Sequence, residues 1–149
     1  LVGFDYVLID CPAGIENGFH RAVSSAREAI VVTTPAVSAI RDADKVITLL
    51  SGYQLESISV VVNRIRGDMV SRGEMMSPSD ITRLLRSEPI GIVPDDDLIT
   101  LYSQVGKVPE YAASDKAFKY LAENVHYGTR KFYEYNKWSF WSRFKRRAR

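Results

Sequence analysis

The sequence predicts an α/β fold in which a parallel sheet is flanked by helices. Short apolar segments rich in β-branched residues recur at intervals of about 25–30 residues, and a segment with helical spacing of apolar residues lies between each pair. The apolar segments are continuous rather than alternating, as in strands that are buried on both faces of a parallel sheet. Right-handed crossovers would then connect the strands.

Length and composition favour one soluble domain. The chain has 149 residues, of which 46% are hydrophobic and 26% charged. Its single cysteine, Cys11, excludes an internal disulfide and a cysteine-rich metal site. No apolar run approaches the roughly 18–20 residues that cross a bilayer, and no signal peptide is visible. Because Leu1 is not an initiator Met and an apolar segment follows almost at once, we expect the N-terminal part to be missing.

The first predicted strand, Tyr6 to Ile9, ends at Asp10 and is followed by a turn that contains Pro12 and Gly14. The carboxyl ends of parallel strands are where open α/β sheets bind ligands. An acid there, followed by free backbone N–H groups, suits a phosphate bound to Mg²⁺. The alternative is that Asp10 only caps the next helix, and the pattern alone leaves both readings open.

Further strands and helices follow in alternation. Strands are predicted over 29–34, 58–62 and 89–93. Helices are predicted over 19–29, over 38–50 with Ser38 as N-cap, over 78–85 with Ser77 as N-cap, after Asp97, and from Ser114 onward. The predicted inner face of the last helix consists of Ala117, Phe118, Leu121, Ala122 and Val125.

Two of these strands end in polar residues that should share the edge of the sheet with Asp10. Asn63 and Arg64 follow one strand, and Pro94 and Asp95 end the next. An Asn side chain can pair with the edge of an adenine, and an Arg can stack on its face. An Asn after a strand is more often only a turn residue.

The last thirteen residues are aromatic and basic, with no acid after Glu134. On a helix the aromatic residues would form one stripe and the basic residues the remainder, as in helices that lie on membrane surfaces. Binding to nucleic acid and docking onto the domain are the competing interpretations. The aromatic residues are Trp138, Phe140, Trp141 and Phe144, and the basic ones include Arg143, Lys145 and Arg146.

Four segments carry a resemblance to a known family: DCPAGIE at 10–16, VSAIRDAD at 37–44, VSRGEM at 70–75 and the terminal segment. Together they resemble the MinD-type septum site-determining ATPases of the MinD/ParA group of P-loop ATPases. The resemblance implies a partial P-loop NTPase fold that binds ATP and Mg²⁺. It implies that Asp10 acts in the Mg²⁺ shell through water and that Gly14, in the same turn as Pro12, senses the γ-phosphate. Asn63, Arg64, Pro94 and Asp95 would hold the base.

The resemblance also implies partners. These are a second copy of the chain in the presence of ATP, an anionic membrane surface, a MinC-like division inhibitor and a MinE-like factor that stimulates hydrolysis. Regulatory partners would bind Arg41, Asp42 and Asp44, and the protein would be cytoplasmic and peripheral on the inner face of the membrane. One departure is Ala36, which stands where many members have a glutamate thought to contact the second copy, so that contact is in question here.

The expected organisation is therefore an ATPase part over residues 1–136 and a membrane-targeting helix over 137–149. The 149 residues contain no GKT-type phosphate loop, so we expect this chain alone not to hydrolyse ATP. The rival functions are a ParA-like or flagellar-number-regulating ATPase and a non-catalytic membrane adaptor. An iron–sulfur carrier ATPase is disfavoured because its paired cysteines are absent.

Overall fold

A computed structural model describes residues 3–11, 17–106 and 113–136 of the chain. Its three strands form a parallel sheet in the order β1-β2-β3, with Val31 of β1 opposite Val60 and Val62 of β2 opposite Ile92 of β3. This confirms the predicted parallel sheet with flanking helices. The elements are α1 (Asn17–Ser24), β1 (Glu28–Thr33), α2 (Val37–Leu50), β2 (Ser57–Ile65), α3 (Gly67–Ser71), α4 (Pro78–Leu85), β3 (Glu88–Pro94), α5 (Asp97–Ser103) and α6 (Ala113–Tyr127).

The larger core lies between one face of the sheet and helices α1, α2 and α4. Val60 and Val62 of β2 are fully buried in it, and Ile81 of α4 packs against them. Their branched side chains fill the pleated surface well, which is why a continuous Val run forms the central strand. The other buried members of this core are Phe19, Val23, Val31, Ile40, Ala43, Leu50, Ile65 and Leu85.

Helix α6 covers the opposite face, where Val61, Val93 and Ala117 form a smaller cluster. The helix approaches closely because β3 has a glycine at the contact: a Cβ on Gly91 would lie 3.0 Å from Leu121 Cδ1. Helix α6 does not cover β1. On that strand Val32 stays 61% exposed.

The predicted first strand is wrong. Residues Gly3 to Cys11 are described as irregular chain outside the sheet, and every one of them is exposed, with Leu8 at 89%. The segment contacts α6 through a hydrogen bond of 2.6 Å between Tyr6 Oη and His126 Nδ1. A short apolar strand is stable only when it pairs with neighbouring strands and its side chains pack on the faces of the sheet. No strand of the described sheet lies beside this segment.

The predicted helix starts are partly right. Ser77 caps α4 by accepting a hydrogen bond from the Asp80 amide, as its sequence pattern indicates. Ser38 does not cap α2, which begins one residue earlier behind Ala36 without a side-chain cap. Ser114 lies within the first turn of α6 rather than before it. Its side chain is instead fully buried and bonded to Asp96.

The predicted inner face of α6 is also partly wrong. Ala117 is buried and Leu121 half-buried, but Phe118 is 43% exposed and Ala122 is exposed. The buried positions of α6 are instead Ser114, Ala117 and Asn124, so two of the three are residues whose polar side chains form hydrogen bonds. Helix α1 ends at Ser24, earlier than the predicted residue 29, because β1 begins at Glu28.

Candidate functional site

The carboxyl ends of β2 and β3 meet, and four residues predicted at sites lie there together. The Asp95 amide donates to the Ile65 carbonyl at 2.9 Å, which joins the two strand ends. Across this junction the Arg64 guanidinium donates to Asp95 Oδ1 at 3.1 Å. Asn63 is half-buried beside them, and Pro94 is buried. The structure therefore brings Asn63, Arg64, Pro94 and Asp95 to one rim.

Arg64 holds a backbone conformation that residues with a Cβ seldom adopt. Its φ is +60°, in the left-handed region, and its amide donates to Asn63 Oδ1 at 2.9 Å. Asn63 thus stabilises the turn locally with the same side chain that would contact a base. The Arg64–Asp95 ion pair is exposed and contributes less than about 1 kcal/mol. The left-handed conformation of Arg64 costs about 1–2 kcal/mol, and strained residues of this kind cluster at functional sites.

A cleft of about 500 Å³ opens at this rim, between the end of β1 and the loop that follows α3. Its apolar part is formed by proline and methionine side chains and its polar part by ionic groups at the strand ends. Such a surface suits a flat heterocycle with hydrogen-bonding edges. The lining residues are Thr34, Pro35, Ala36, Val37, Arg64, Glu74, Met75, Met76 and Asp95.

The loop beside the cleft carries a network of exposed ion pairs. Arg72 donates to Glu74 at 2.8 Å and to Asp68 at 3.3 Å, and Arg66 also reaches Asp68 at 3.3 Å. Burial of Asp68 would raise the pKa of its carboxyl, but Arg66 and Arg72 outweigh burial and lower that pKa. The hydrogen bonds from Arg72 likewise lower the pKa of Glu74. Both acids are therefore held ionised next to the cleft.

Sequence reasoning did not assign Thr34, Pro35, Met75 or Met76 to a site, although all four line the cleft. The rule that ligands bind beyond strand ends could have found Thr34 and Pro35, since they directly follow β1. Met75 and Met76 could not be assigned in this way, because they lie in a polar loop where no sequence pattern indicates which surface a methionine contacts.

None of the other predicted site residues is described at this rim. Asp10 is exposed at the end of the irregular segment, while Pro12, Gly14 and the whole segment 137–149 fall outside the described residues. Arg41, Asp42 and Asp44 are exposed along one side of α2, where Lys45 pairs with Asp42 at 3.3 Å.

The described residues contain no ready-made metal site. Residues 3–11, 17–106 and 113–136 contain no group of three His, Cys, Asp or Glu side chains that could hold a metal. Asp10 is thus a single carboxylate, which suits a Mg²⁺ ion that keeps most of its water ligands. Among the described helices none is long and apolar enough to cross a bilayer.

Curated proteins named MinD are similar to most of this chain. The septum site-determining protein MinD of Synechocystis is 53% identical over 104 residues, and that of Bacillus subtilis is 50% identical over 105 residues. Each match covers 70% of this chain and 39% of the relative. Over the matched residues the chain is therefore homologous to MinD proteins. No protein-family model matches it, and it spans about two fifths of the length of these MinD relatives.

Solved structures agree with this assignment. MinD from Aquifex aeolicus matches with a TM-score of 0.81 and 39% identity, over 87% of this chain and 56% of the MinD chain. A chain of the MinC:MinD cell division protein complex from the same organism matches with a TM-score of 0.79 and 40% identity, over 86% of this chain and 53% of the other. MinD from Pyrococcus horikoshii complexed with Mg-ADP matches with a TM-score of 0.70 and 29% identity, over 82% of this chain and 50% of the other. The predicted fold class, a partial P-loop NTPase fold, is thereby confirmed.

Proposed function

We propose that residues 1–136 belong to the ATPase domain of a MinD-like protein that selects the division site, and that residues 137–149 attach it to the membrane. The observation that carries the proposal is the rim at which Arg64 and Asp95 line the cleft, with Asn63 hydrogen-bonded to the Arg64 amide beside it. The Pyrococcus horikoshii relative supports it, because that protein is complexed with Mg-ADP.

Within this proposal the base of ATP lies in the cleft against Asn63, Arg64, Pro94 and Asp95. Asn63 can offer its amide donors to the base while its oxygen accepts from the Arg64 amide. Asp10 orients Mg²⁺ through a water molecule, and the turn with Pro12 and Gly14 meets the γ-phosphate. When bound, Mg²⁺ supplies charge compensation for the phosphates.

Nucleotide binding is tested with a fluorescent ADP analogue, titrated against the 149-residue chain, with unlabelled ADP and GDP as competitors. We expect ADP to compete better than GDP and Asn63→Ala to weaken binding roughly tenfold, as loss of one or two hydrogen bonds would. The control variant is Gln54→Ala, whose side chain lies outside the cleft lining. Equal competition by GDP, or equal affinity in both variants, would refute the assignment of the base site.

Hydrolysis requires more than these residues. No GKT-type phosphate loop is present in them, and that loop supplies the backbone amides and lysine that hold the β- and γ-phosphates. We therefore expect the purified chain to release phosphate from ATP no faster than a buffer control. Measurable turnover by the chain alone contradicts this expectation.

The membrane role rests on the aromatic and basic pattern of the C-terminal segment. Each basic residue near an anionic leaflet contributes about 1 kcal/mol, and each half-buried aromatic side chain adds about 1–2 kcal/mol before ordering costs. One segment would bind reversibly, whereas two segments on an ATP-bound homodimer would bind much more tightly because the second contact is intramolecular.

The membrane role is tested by co-sedimentation with phosphatidylglycerol–phosphatidylcholine vesicles, phosphatidylcholine vesicles and duplex DNA. We expect binding to the anionic vesicles, which is lost when the chain ends at Asn136. The matched variant is Trp138→Ser with Trp141→Ser, which keeps every charge and should lose most of the binding. Binding to DNA that survives this double substitution would favour the ParA-like alternative.

The exposed side of α2 is the proposed partner surface. Arg41, Asp42 and Asp44 lie there without burial, and the Aquifex aeolicus relative forms a complex with MinC. We expect Arg41→Glu to weaken capture of a MinC-like inhibitor and of a MinE-like factor. Arg83→Glu, at an exposed position of α4, should have no effect. Equal capture by both variants would exclude this surface.

A further inference from the structure

The described residues that follow α6 form a strap, which we define as residues 128–136. It begins where Gly128, with φ +64°, ends the helix by donating its amide to the Asn124 carbonyl at 3.0 Å. Tyr133 then packs with the cluster beneath α6, and Tyr135 packs with the core on the opposite face of the sheet. The strap therefore passes from one face of the sheet to the other.

One buried side chain holds the start of the strap. Asn124 Nδ2 donates to the Ile90 carbonyl at 2.9 Å and to the Lys131 carbonyl at 2.8 Å. Its Oδ1 accepts from the Lys131 amide and from Thr129 Oγ1, both at 2.8 Å. All four hydrogen-bonding positions of this amide are thus used, and they connect the strap to β3 and α6.

Ion pairs assist at the surface of the strap. Arg130 reaches Glu88 of β3 at 2.6 Å, and Lys131 reaches Glu123 of α6 at 2.6 Å. The hydrogen bond that the Lys131 ammonium donates to Glu123 raises the pKa of Lys131. Exposed pairs of this kind contribute little to stability, so Asn124 and the two tyrosines are the main attachments.

The end of the strap rests on the first residue of α3. A Cβ on Gly67 would overlap the Tyr135 carbonyl oxygen and lie 2.8 Å from the carbonyl carbon. The obstructing atoms are backbone, so a rotamer change cannot relieve the overlap. Gly67 has no left-handed φ to explain it; close approach of the strap is its structural reason.

The segment that begins at Gly67 reaches the cleft. Asp68 is paired with Arg66 and Arg72, and Arg72 is paired with Glu74, which lines the cleft. In addition, the Arg66 amide donates to Met75 Sδ at 3.3 Å, and Met75 lines the cleft too. The surface that receives the strap and the wall of the cleft are therefore parts of one segment, residues 66–76, whose backbone is also hydrogen-bonded from Val70 to Arg66 and from Glu74 to Met69.

We propose that seating of the strap and the conformation of residues 66–76 are coupled, with Gly67 and Asn124 as the positioning residues. Residues 137–149 follow the strap directly in the sequence, so the coupling links the cleft to the residues that immediately precede the C-terminal segment. Coupling between two sites is reciprocal: whatever orders residues 66–76 also favours the seated strap. The consequence for membrane attachment rests on the proposed function, whereas the coupling itself does not.

Hydrogen exchange on the 149-residue chain, without ligand, tests the coupling in one direction. Gly67→Ala should unseat the strap and make the Lys131 amide exchange roughly tenfold faster, together with the Glu74 amide, which donates to Met69 O at 2.9 Å. The control is Gly52→Ala, whose Cβ would meet only the Leu49 carbonyl, at 3.3 Å. Slow exchange in β2 must persist, which shows that the domain still folds.

The reverse direction uses a variant that does not touch α3. Asn124→Ala removes the attachment at the other end of the strap and should also accelerate exchange at Glu74. If Asn124→Ala unfolds the domain, Thr129→Val removes one bond of the same set and should produce a smaller change of the same kind. Unchanged exchange at Glu74 in folded Asn124 or Thr129 variants would overturn the coupling, because an isolated clash at Gly67 cannot explain it.

Adding ADP to the unmodified chain separates this inference from the proposed function. Slower exchange across residues 128–136 with ADP supports both. If the variants behave as expected but ADP changes nothing, the coupling stands and the base site is wrong. If ADP slows exchange only at the cleft and neither variant affects Glu74, the base site stands and the coupling is wrong.

Discussion

Asp96 joins two helices, and its replacement by Ala should destabilise the domain measurably. Its Oδ1 accepts from the Leu98 amide at 3.0 Å and caps α5. Its Oδ2 accepts from the Ser114 amide at 3.2 Å and from Ser114 Oγ at 2.8 Å, near the start of α6. Loss of the cap costs about 1 kcal/mol, and leaving the fully buried Ser114 hydroxyl unpaired costs about 1–3 kcal/mol. We expect Asp96→Ala to lower the free energy of unfolding by about 2–4 kcal/mol.

The same carboxylate predicts a pH dependence. Burial would raise the pKa of Asp96, but the hydrogen bonds from Ser114 and Leu98 outweigh burial and lower it. A lowered folded-state pKa means that the stabilisation is complete above the usual pKa of an unfolded aspartate and is lost as the pH falls through the lower folded value. The stability difference between the parent chain and Asp96→Ala should therefore be constant near neutral pH and shrink in acid.

Urea denaturation followed by far-UV circular dichroism, repeated from neutral to acidic pH, measures both effects. Asp97→Ala is the matched control, because Asp97 is exposed in the first turn of α5 and should contribute only the roughly 0.3–1 kcal/mol of a charge near a helix N-terminus. If the two variants differ by less than about 0.5 kcal/mol, or if the Asp96 effect is the same at all pH values, the two-helix role is refuted.

Two further substitutions test packing and backbone strain. Gly91→Ala should cost about 1–3 kcal/mol in urea denaturation because its Cβ would press on Leu121, whereas Gly52→Ala should cost less. Arg64→Gly and Arg86→Gly both remove a left-handed non-glycine residue and should leave stability unchanged or raise it by up to about 1 kcal/mol. Only Arg64→Gly should weaken binding of the ADP analogue, and equal weakening by Arg86→Gly would exclude a specific role for Arg64.

The sequence predicted the sheet well where the signal is local. β2 and β3 are built around short apolar runs rich in β-branched residues, which favour a pleated, half-buried surface, and the sequence predicts each strand to within a few residues. Ser77 followed by Pro78 and Asp80 predicted the start of α4 for the same reason, since a capping box is complete within four residues. The rim then followed from topology alone, because parallel strands end at the same edge.

The predictions that were wrong concern segments whose environment is determined by residues far away in the sequence. Tyr6 to Ile9 has the composition of a buried strand, yet burial on two faces requires neighbours that a local pattern cannot supply. The described residues place no strand beside it, and the apolar Ile30 and Val32 of β1 are exposed as well. Ser114 looked like an N-cap because serine is a preferred residue at that position, whereas its partner Asp96 lies 18 residues away.

Asn124 shows why the inner face of α6 could not be read from hydrophobic periodicity. That periodicity favours burying Phe118. A helix can nevertheless bury an amide side chain, because pairing every donor and acceptor of the amide offsets the free energy of removing it from water. At Asn124 the pairing is supplied by Ile90 and by the strap, neither of which lies within the helix. The buried amide thus has a role that an apolar side chain could not perform, because an apolar residue would pack against β3 without fixing the strap. The path of the chain toward residues 137–149 consequently depends on a polar residue in the core rather than on the apolar stripe of the helix.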